Sequence, residues 1–328
     1  MFNKTKFKFH DIFENRIPPE EVREYLIGLY EKGETAEDIA SAASSMREHS
    51  VPLNIPYSLK EELIDNCGTG GDNSNSFNIS TTVAILIAAC GSKIAKHGNR
   101  SITSNSGSAD MLESLGVNLD INSDDQVKML EKTGFCFMFA QNHHPAMQYI
   151  MPIRKSIPHR TIFNILGPLS NPAMVHKQVI GVFDKSFVTR IAEAMVLLGA
   201  KRALVLSSND NMDEISISDV THASFVERGN IRNFIIDPRE YGFDLYYKEE
   251  VEGGTPAENG LITKGILNGS IQGAKRDIVI INAAFALLVD GKVNSTEEGI
   301  IMAKEAIENG SAYKKLEQII EVSNEFVH

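Results

Sequence analysis

The sequence predicts an α/β protein: a small N-terminal α-helical domain followed by a large α/β domain with a mostly parallel central sheet. Three observations carry this. From Leu63 onward, apolar strand-like runs alternate with helical patterns, as in a parallel sheet wrapped by helices. Before Leu63 the periodicity is helical, and Pro52 and Pro56 then mark a linker. The length of 328 residues corresponds to about two domains. The expected boundary divides residues 1–57 from 58–328.

The elements follow in order. Pro18-Pro19 opens a helix over 18–29, with Val22, Leu26 and Leu29 on one face. Thr35 with Asp38 makes a capping-box pattern at the head of a second helix, 35–50. Residues 63–67 read as a strand entering a glycine-rich loop, 80–90 as an apolar helix and 92–96 as a strand. Helices are expected over 107–115 and 123–132, and a buried strand over 134–139. Helices over 144–152 and 160–166 come next, the latter stopping near Gly167-Pro168. A strand over 178–183, a helix over 186–198 and a strand over 202–206 continue the alternation. Residues 221–226 and 231–236, around Arg228-Gly229-Asn230, read as a hairpin. Helices over 256–267, 275–289, 296–309 and 313–322 close the chain. No internal repeat or low-complexity segment interrupts it.

Composition narrows the function. Apolar residues at 42% and charged residues at 23% describe a globular chain rather than a disordered one. The net charge of −11 argues against a nucleic-acid partner, which needs a basic surface. Three cysteines, Cys67, Cys90 and Cys136, sit in apolar contexts and suit a reducing compartment without disulfides. Residues 1–13 alternate Lys with Phe and carry no continuous apolar core, so no signal peptide is expected. The longest apolar stretch, 278–289, contains Asn282 and falls short of the ~20 residues that cross a bilayer. A cytoplasmic protein without membrane contact is expected.

The acids are unevenly placed. Residues 73–109 are 37 positions without Asp or Glu, and 132–183 are 52 more. These stretches hold eight Lys and Arg residues and five of the nine histidines. Burial explains part of the pattern. The basic residues among the gaps point instead to an anionic small molecule.

Several motifs bear on that anion. Gly68-Thr69-Gly70-Gly71-Asp72 follows a strand and is either a tight turn or a loop with N–H groups facing a ligand. It departs from the dinucleotide fingerprint at Asn73, and the chain has no Gly-Lys-Ser/Thr of a Walker loop. In Asn78-Ile79-Ser80-Thr81, Ser80 or Thr81 suits an N-cap, or a pyrophosphate and its metal. Lys96-His97-Gly98-Asn99-Arg100-Ser101-Ile102-Thr103-Ser104 is a dense donor set for phosphate, or a solvated basic loop. Asn142-His143-His144-Pro145 lacks a third ligand at zinc spacing and reads as pocket lining or a helix cap. Arg154 suits a bidentate grip on a substrate carboxylate. Asp213-Glu214 is a surface pair, or the hard donor set that Mg²⁺ takes together with phosphates and waters.

Five segments in register carry a resemblance: CGTGGDNSNSFNIST (67–81), KIAKHGNRSITSNSGSADMLESLGVNL (93–119), FMFAQNHHPAMQYIMPIRKSI (137–157), RTIFNILGPLSNP (160–172) and MDEIS (212–216). From about Glu34 to the C-terminus, the chain resembles the anthranilate phosphoribosyltransferases of tryptophan biosynthesis. The resemblance implies a nucleoside phosphorylase/phosphoribosyltransferase-like fold. It implies Mg²⁺-dependent transfer of the phosphoribosyl group from 5-phosphoribosyl 1-pyrophosphate to the amine of anthranilate, the second step from chorismate. Gly68, Gly71, Asp72, Ser76, Asn78, Ile79, Ser80 and Thr81, with Lys96, His97, Gly98, Asn99, Arg100, Ser101, Ile102, Thr103 and Ser104, would cradle phosphoribosyl pyrophosphate. Gly68, Asn99, Ser108, His143 and Arg154 would meet anthranilate. Ser80, Asp213 and Glu214 would ligate magnesium, two ions per site. No residue would act as a classical acid, base or nucleophile, because the aromatic amine is already neutral at pH 7. The resemblance also implies a homodimer, and a small domain completed by a segment within about 145–175.

Asn73, Ser76 and Asn105 depart mildly from the family pattern. The N-terminus departs more, with little more than one helix expected before Lys32-Gly33-Glu34. Two rival readings are a pyrimidine nucleoside phosphorylase and a non-catalytic nucleic-acid-binding paralogue. The KHGNR and NHHPAM segments weigh against the first, and the net charge weighs against the second.

Overall fold

Three helices build the N-terminal unit of the computed structural model, which describes residues 2–101 and 105–326. They are α1 (Phe2–Phe13), α2 (Pro19–Lys32) and α3 (Ala36–Glu48). α1 corrects the expectation of a short lead: two helices precede Lys32-Gly33-Glu34. Its apolar signal is brief, with Phe9, Ile12 and Phe13 buried at i, i+3 and i+4 after Lys4, Lys6 and Lys8. Pro19 occupies the first turn of α2, where a missing N–H costs nothing. Thr35 and Asp38 form the reciprocal cap of α3. Thr5 Oγ1 donates to Asp38 Oδ1 at 3.0 Å and ties α1 to that cap.

A short α4 (Tyr57–Lys60) leads to the sheet. Its strands are β1 (Leu63–Asn66), β2 (Lys93–Gly98), β3 (Phe135–Phe139), β4 (Lys177–Gly181), β5 (Arg202–Ser208), β6 (Thr221–Glu227) and β7 (Asn230–Ile236). The order is β3-β2-β1-β4-β5-β6-β7. β1 to β5 pair in parallel, and the expected hairpin β6–β7 adds antiparallel strands at one edge. The chain builds outward from β1 through β2 to β3, then returns to place β4 on the other side of β1. This reversal opens a crevice beyond the carboxyl ends of β1 and β4, where open α/β sheets bind ligands.

Helices cover both faces. They are α5 (Ile79–Ala89), α6 (Ser108–Ser114), α7 (Ser123–Thr133), α8 (Ala140–His143), α9 (Met147–Lys155), α10 (Phe163–Leu169), α11 (Val188–Leu197), α12 (Pro256–Leu267), α13 (Ala274–Asp290), α14 (Thr296–Glu308) and α15 (Ser311–Ser323). One apolar cluster joins α5, α6, α7 and α12 to α15. A second joins α1 to α3 with α9, α10 and α11, and includes Phe9, Ile150, Phe163 and Ile191. Phe9 and Phe163 meet edge-on at 6.0 Å between ring centroids.

Two helices differ from their sequence reading. The expected helix over 144–152 is α9, which starts at Met147 and runs to Lys155 with Pro152 inside it, and the short α8 before it was not expected. α10 starts later than expected and runs through Gly167-Pro168. Its packing against α3 offsets the backbone hydrogen bond that proline removes. Both gaps in the acid distribution are partly burial: most residues of α5, β2, β3 and β4 lie in the core.

Candidate active site

The crevice beyond β1 and β4 is lined by Asn66, Gly68, Gly181, Asp213, Glu214 and Asn282. The Gly68–Asp72 loop leaves β1 and bends through left-handed backbone at Gly70 (φ 64°), Gly71 (φ 70°) and Asn73 (φ 56°). Asn tolerates that region better than most side chains, so Asn73 keeps the turn without a glycine. Two bonds moor the loop to β4. The Thr69 N–H donates to Gly181 O at 2.9 Å, and Thr69 Oγ1 accepts the Phe183 N–H at 3.1 Å. Arg160 stacks 3.7 Å from the Phe183 ring centroid and donates to Gly71 O.

Asp213 closes against this loop. Its Oδ2 accepts the Gly70 N–H at 2.7 Å, and its own N–H donates to Asp72 Oδ2 at 3.3 Å. The approach requires glycines. A Cβ on Gly68 would sit 2.3 Å from Asp213 Oδ2, and one on Gly181 would sit 1.6 Å from Asp213 O. From behind, Asn282 in α13 grips the acid segment. Its Oδ1 accepts the Ile215 N–H and its Nδ2 donates to Ile215 O, both at 2.9 Å. The lone amide in the apolar 278–289 run was the available signal for this role; the sequence reading missed it.

Glu214 lies near the head of α5, where the Ser80 backbone acts to lower its pKa against burial. The first residue before α5 is Asn78, not Ser80 or Thr81, and no side chain caps the helix. Asn78 is used elsewhere: its Oδ1 accepts from Ser106 Oγ at 3.0 Å and from Asn259 Nδ2 at 2.9 Å. The helix N-terminus, with its partial positive charge, therefore faces the acids. Lys96 adds a full charge there. It is buried on β2, with Nζ 3.1 Å from Asn66 O and 3.4 Å from Ser80 Oγ.

Burial, and then the neighbouring Asp72 charge, push the Asp213 carboxyl up to about 7. Burial and Asp213 raise Glu214 well above the usual carboxylate range, with Lys96 acting in the opposite direction. Such crowded acids are stabilised by a divalent cation, and the donors are hard oxygens of the kind Mg²⁺ takes. These residues therefore fit a magnesium ion held jointly with phosphates and waters.

The remaining expected site residues are distributed as follows. Asn99 and Ser108 lie together, with Ser108 Oγ donating to Asn99 O at 3.1 Å. Gly98 allows this, since a Cβ there would meet Ser108 Oγ at 2.4 Å. Arg100 is engaged by Asp110 at 2.9 Å and Glu113 at 2.6 Å. Asp110 Oδ2 also accepts the Ser101 and Gly107 N–H groups. Ser76 accepts from Ser74 Oγ at 3.1 Å. The side chains of Ile79 and Thr81 are in the core, and the Ile79 N–H donates to Phe77 O. Ile102, Thr103 and Ser104, also expected in the cradle, lie outside the described residues.

His97 turns to the opposite side of β2 from Lys96. Its ring bonds Gly167 O at 3.1 Å and packs edge-on against His144. His143 is buried between Val51 O at 2.8 Å and Gln126 Oε1 at 3.2 Å. Arg154 is half-buried on α9, 5.6 Å from the Phe163 ring centroid, and burial depresses its pKa. Among the described residues it forms no ion pair.

Matches to known proteins decide the family. Residues 60–313 match the pattern described as "Glycosyl transferase family, a/b domain", and residues 3–50 match its helical bundle domain. An anthranilate phosphoribosyltransferase of Methanobrevibacter smithii is 46% identical over 300 residues, covering 92% of this chain and 88% of its own. The chain belongs to the anthranilate phosphoribosyltransferase family. The solved family structure from Thermus thermophilus superposes with a TM-score of 0.93 at 34% identity, covering 99% of this chain and 96% of that one. A Saccharomyces cerevisiae member, solved in complex with PRPP and Mg, superposes at 0.85 with 30% identity, covering 94% and 86%. Among the described residues no helix is long and apolar enough to cross a membrane.

Proposed function

We propose that this chain transfers the phosphoribosyl group of 5-phosphoribosyl 1-pyrophosphate to the amine of anthranilate, releasing pyrophosphate and N-(5-phosphoribosyl)anthranilate. One observation carries the reading. The glycine loop, the uncapped head of α5, Lys96 and the pair Asp213-Glu214 converge on the crevice at the β1/β4 reversal. This arrangement suits a pyrophosphate leaving group.

The reaction needs a leaving group stabilised and two substrates aligned, rather than a proton shuttle. The chain's own groups agree. Burial holds the His144 ring down to about 4, and His97 and His143 are also depressed by burial. All three rings stay neutral at pH 7. Burial and then Asp65 raise the Cys67 thiol, which makes it a poor nucleophile. Loop N–H groups and the α5 terminus bind the pyrophosphate oxygens, and Lys96 stabilises the negative charge that develops on them. Asp72, Ser80, Asp213 and Glu214 would hold magnesium, two ions per site in this reading. When bound, that metal neutralises charge on the departing pyrophosphate, worth several kcal/mol in metal catalysis generally. Arg154, a half-buried cation without an ion-pair partner among the described residues, binds the anthranilate carboxylate. Asn99 and Ser108 border the amine. Alignment of the two substrates supplies up to ~7–11 kcal/mol in well-oriented systems.

The reading includes a small domain of residues 1–57 with a segment from 145–175, supported by the cluster that joins Phe9 to Ile150 and Phe163. It also includes a cytoplasmic homodimer associating through the helical unit, where Phe7 is 69% exposed. Light scattering of the purified protein tests the dimer. Anthranilate fluorescence tests the chemistry. Decay should require protein, phosphoribosyl pyrophosphate and Mg²⁺ together. Decay without one of them, or none with folded protein, overturns the reading. Phosphate-dependent release of uracil from uridine would replace it with the phosphorylase.

A further inference from the structure

A second group of ligating side chains lies on the N-terminal helical unit, away from the crevice-lining acids. His10 on α1, Glu14 just beyond it and His49 at the end of α3 place one ligand atom each within 4.8 Å of one another. We propose that these three residues form a transition-metal site of the zinc class, with a fourth position open to water, that staples α1 to α3.

Local structure prepares each ligand. The Glu14 N–H donates to His10 O at 2.9 Å, so the helical turn continues to Glu14 and puts both side chains on one face. His49 Nδ1 lies 2.7 Å from Ser45 O, a carbonyl that only accepts. With Nδ1 turned to that carbonyl, Nε2 is the nitrogen left to face a metal. That Nε2 points at Glu14 Oε1, 3.2 Å away. An imidazole held by a backbone carbonyl through its other nitrogen is the usual support of a metal-binding histidine. Arg16 lies 3.6 Å from the other Glu14 oxygen and steadies the carboxylate while leaving Oε1 to the site. Phe13 walls one side, with its ring centroid 5.5 Å from that of His49.

The dimensions suit tetrahedral zinc. Bonds of about 2.0–2.1 Å place neighbouring ligand atoms roughly 3.4 Å apart. The Glu14–His49 separation is already of that size, and His10 requires only a small side-chain adjustment. Two imidazoles and one carboxylate favour zinc or a late first-row neighbour over magnesium. The alternative is a His49–Glu14 ion pair with the His10 ring packed 4.8 Å from that of His49.

The test uses metal-stripped full-length protein with excess Mg²⁺ to occupy the crevice acids. Zn²⁺ is titrated by calorimetry, and Co²⁺ serves as a visible-absorption probe. One zinc per chain should bind at micromolar or lower concentration, raise Tm by a few degrees and bleach the cobalt bands. His10→Ala and Glu14→Gln should each weaken zinc binding by about 100-fold. Phosphoribosyl transfer by these variants should stay within about two-fold of the parent. His10→Ala lies at a half-buried surface position and keeps the test informative if His49→Ala fails to fold. Absence of zinc binding at 100-fold higher concentration, or equal affinity in the His10→Ala and Glu14→Gln proteins, overturns the site.

Discussion

The two acid-free stretches look alike in sequence and differ in the fold. In 73–109 two of the three cations are committed internally: Lys96 to Asn66 and Ser80, and Arg100 to Asp110 and Glu113. In 132–183 Lys132 and Lys177 pair with Glu325 and Asp290, while Arg154 stands half-buried with no ion pair among the described residues. A cation held by protein groups is positioned before substrate arrives. One held only by apolar neighbours carries a desolvation cost that a substrate anion relieves. Lys96 therefore suits charge that develops during reaction, and Arg154 suits charge already present on a substrate.

The largest test of this contrast removes the acids facing Lys96. Asp213→Asn with Glu214→Gln should lower kcat/KM by about 100-fold or more and raise the Mg²⁺ needed for half-maximal rate. Full activity at parental Mg²⁺ would take the pair out of the mechanism. Arg154→Ala should raise the anthranilate KM roughly 10–150-fold, the equivalent of ~1.5–3 kcal/mol for a charged hydrogen bond. Its Tm should change little, because no internal ion pair is lost. An unchanged KM would end the contrast.

A pH series sharpens it. Asp213 and Glu214 have pKa values raised by folding. Their contribution to stability is thus full below about pH 4 and is lost as pH rises through about 7 for Asp213. Without Mg²⁺, Tm should fall across that window. Mg²⁺ or the double variant should flatten the slope in part, since Asp65, raised to about 6 by burial, adds to it. A parental slope in the double variant would show that these acids do not cause it. The smallest effect is expected of Arg100→Ala. Its pairs are part-exposed, and exposed pairs contribute about 0–1 kcal/mol. A drop in Tm of many degrees would give the pair a larger structural role.

Much of the fold was legible because local signals agreed. Thr35 and Asp38 capped where the capping box said, and the hairpin turned at Arg228-Gly229-Asn230. α1 escaped notice because only one turn of its apolar pattern is buried. α8 escaped because its single turn is too short for a helical period to show. In the site, motif residues were legible and their supports were not. Asn282, Gly181 and Arg160 act through contacts with residues 32 or more positions away.

By itself the sequence determined the chemistry-bearing motifs, the alternation that makes an α/β sheet and the family. These reside in residue identity and short-range periodicity. Only the tertiary structure decided that Asp213 closes on Gly70, that Lys96 and His97 serve opposite sides of one strand, and that Arg154 is left without an ion pair. Those outcomes depend on which distant groups are brought within hydrogen-bond reach, and on how much water is removed around them.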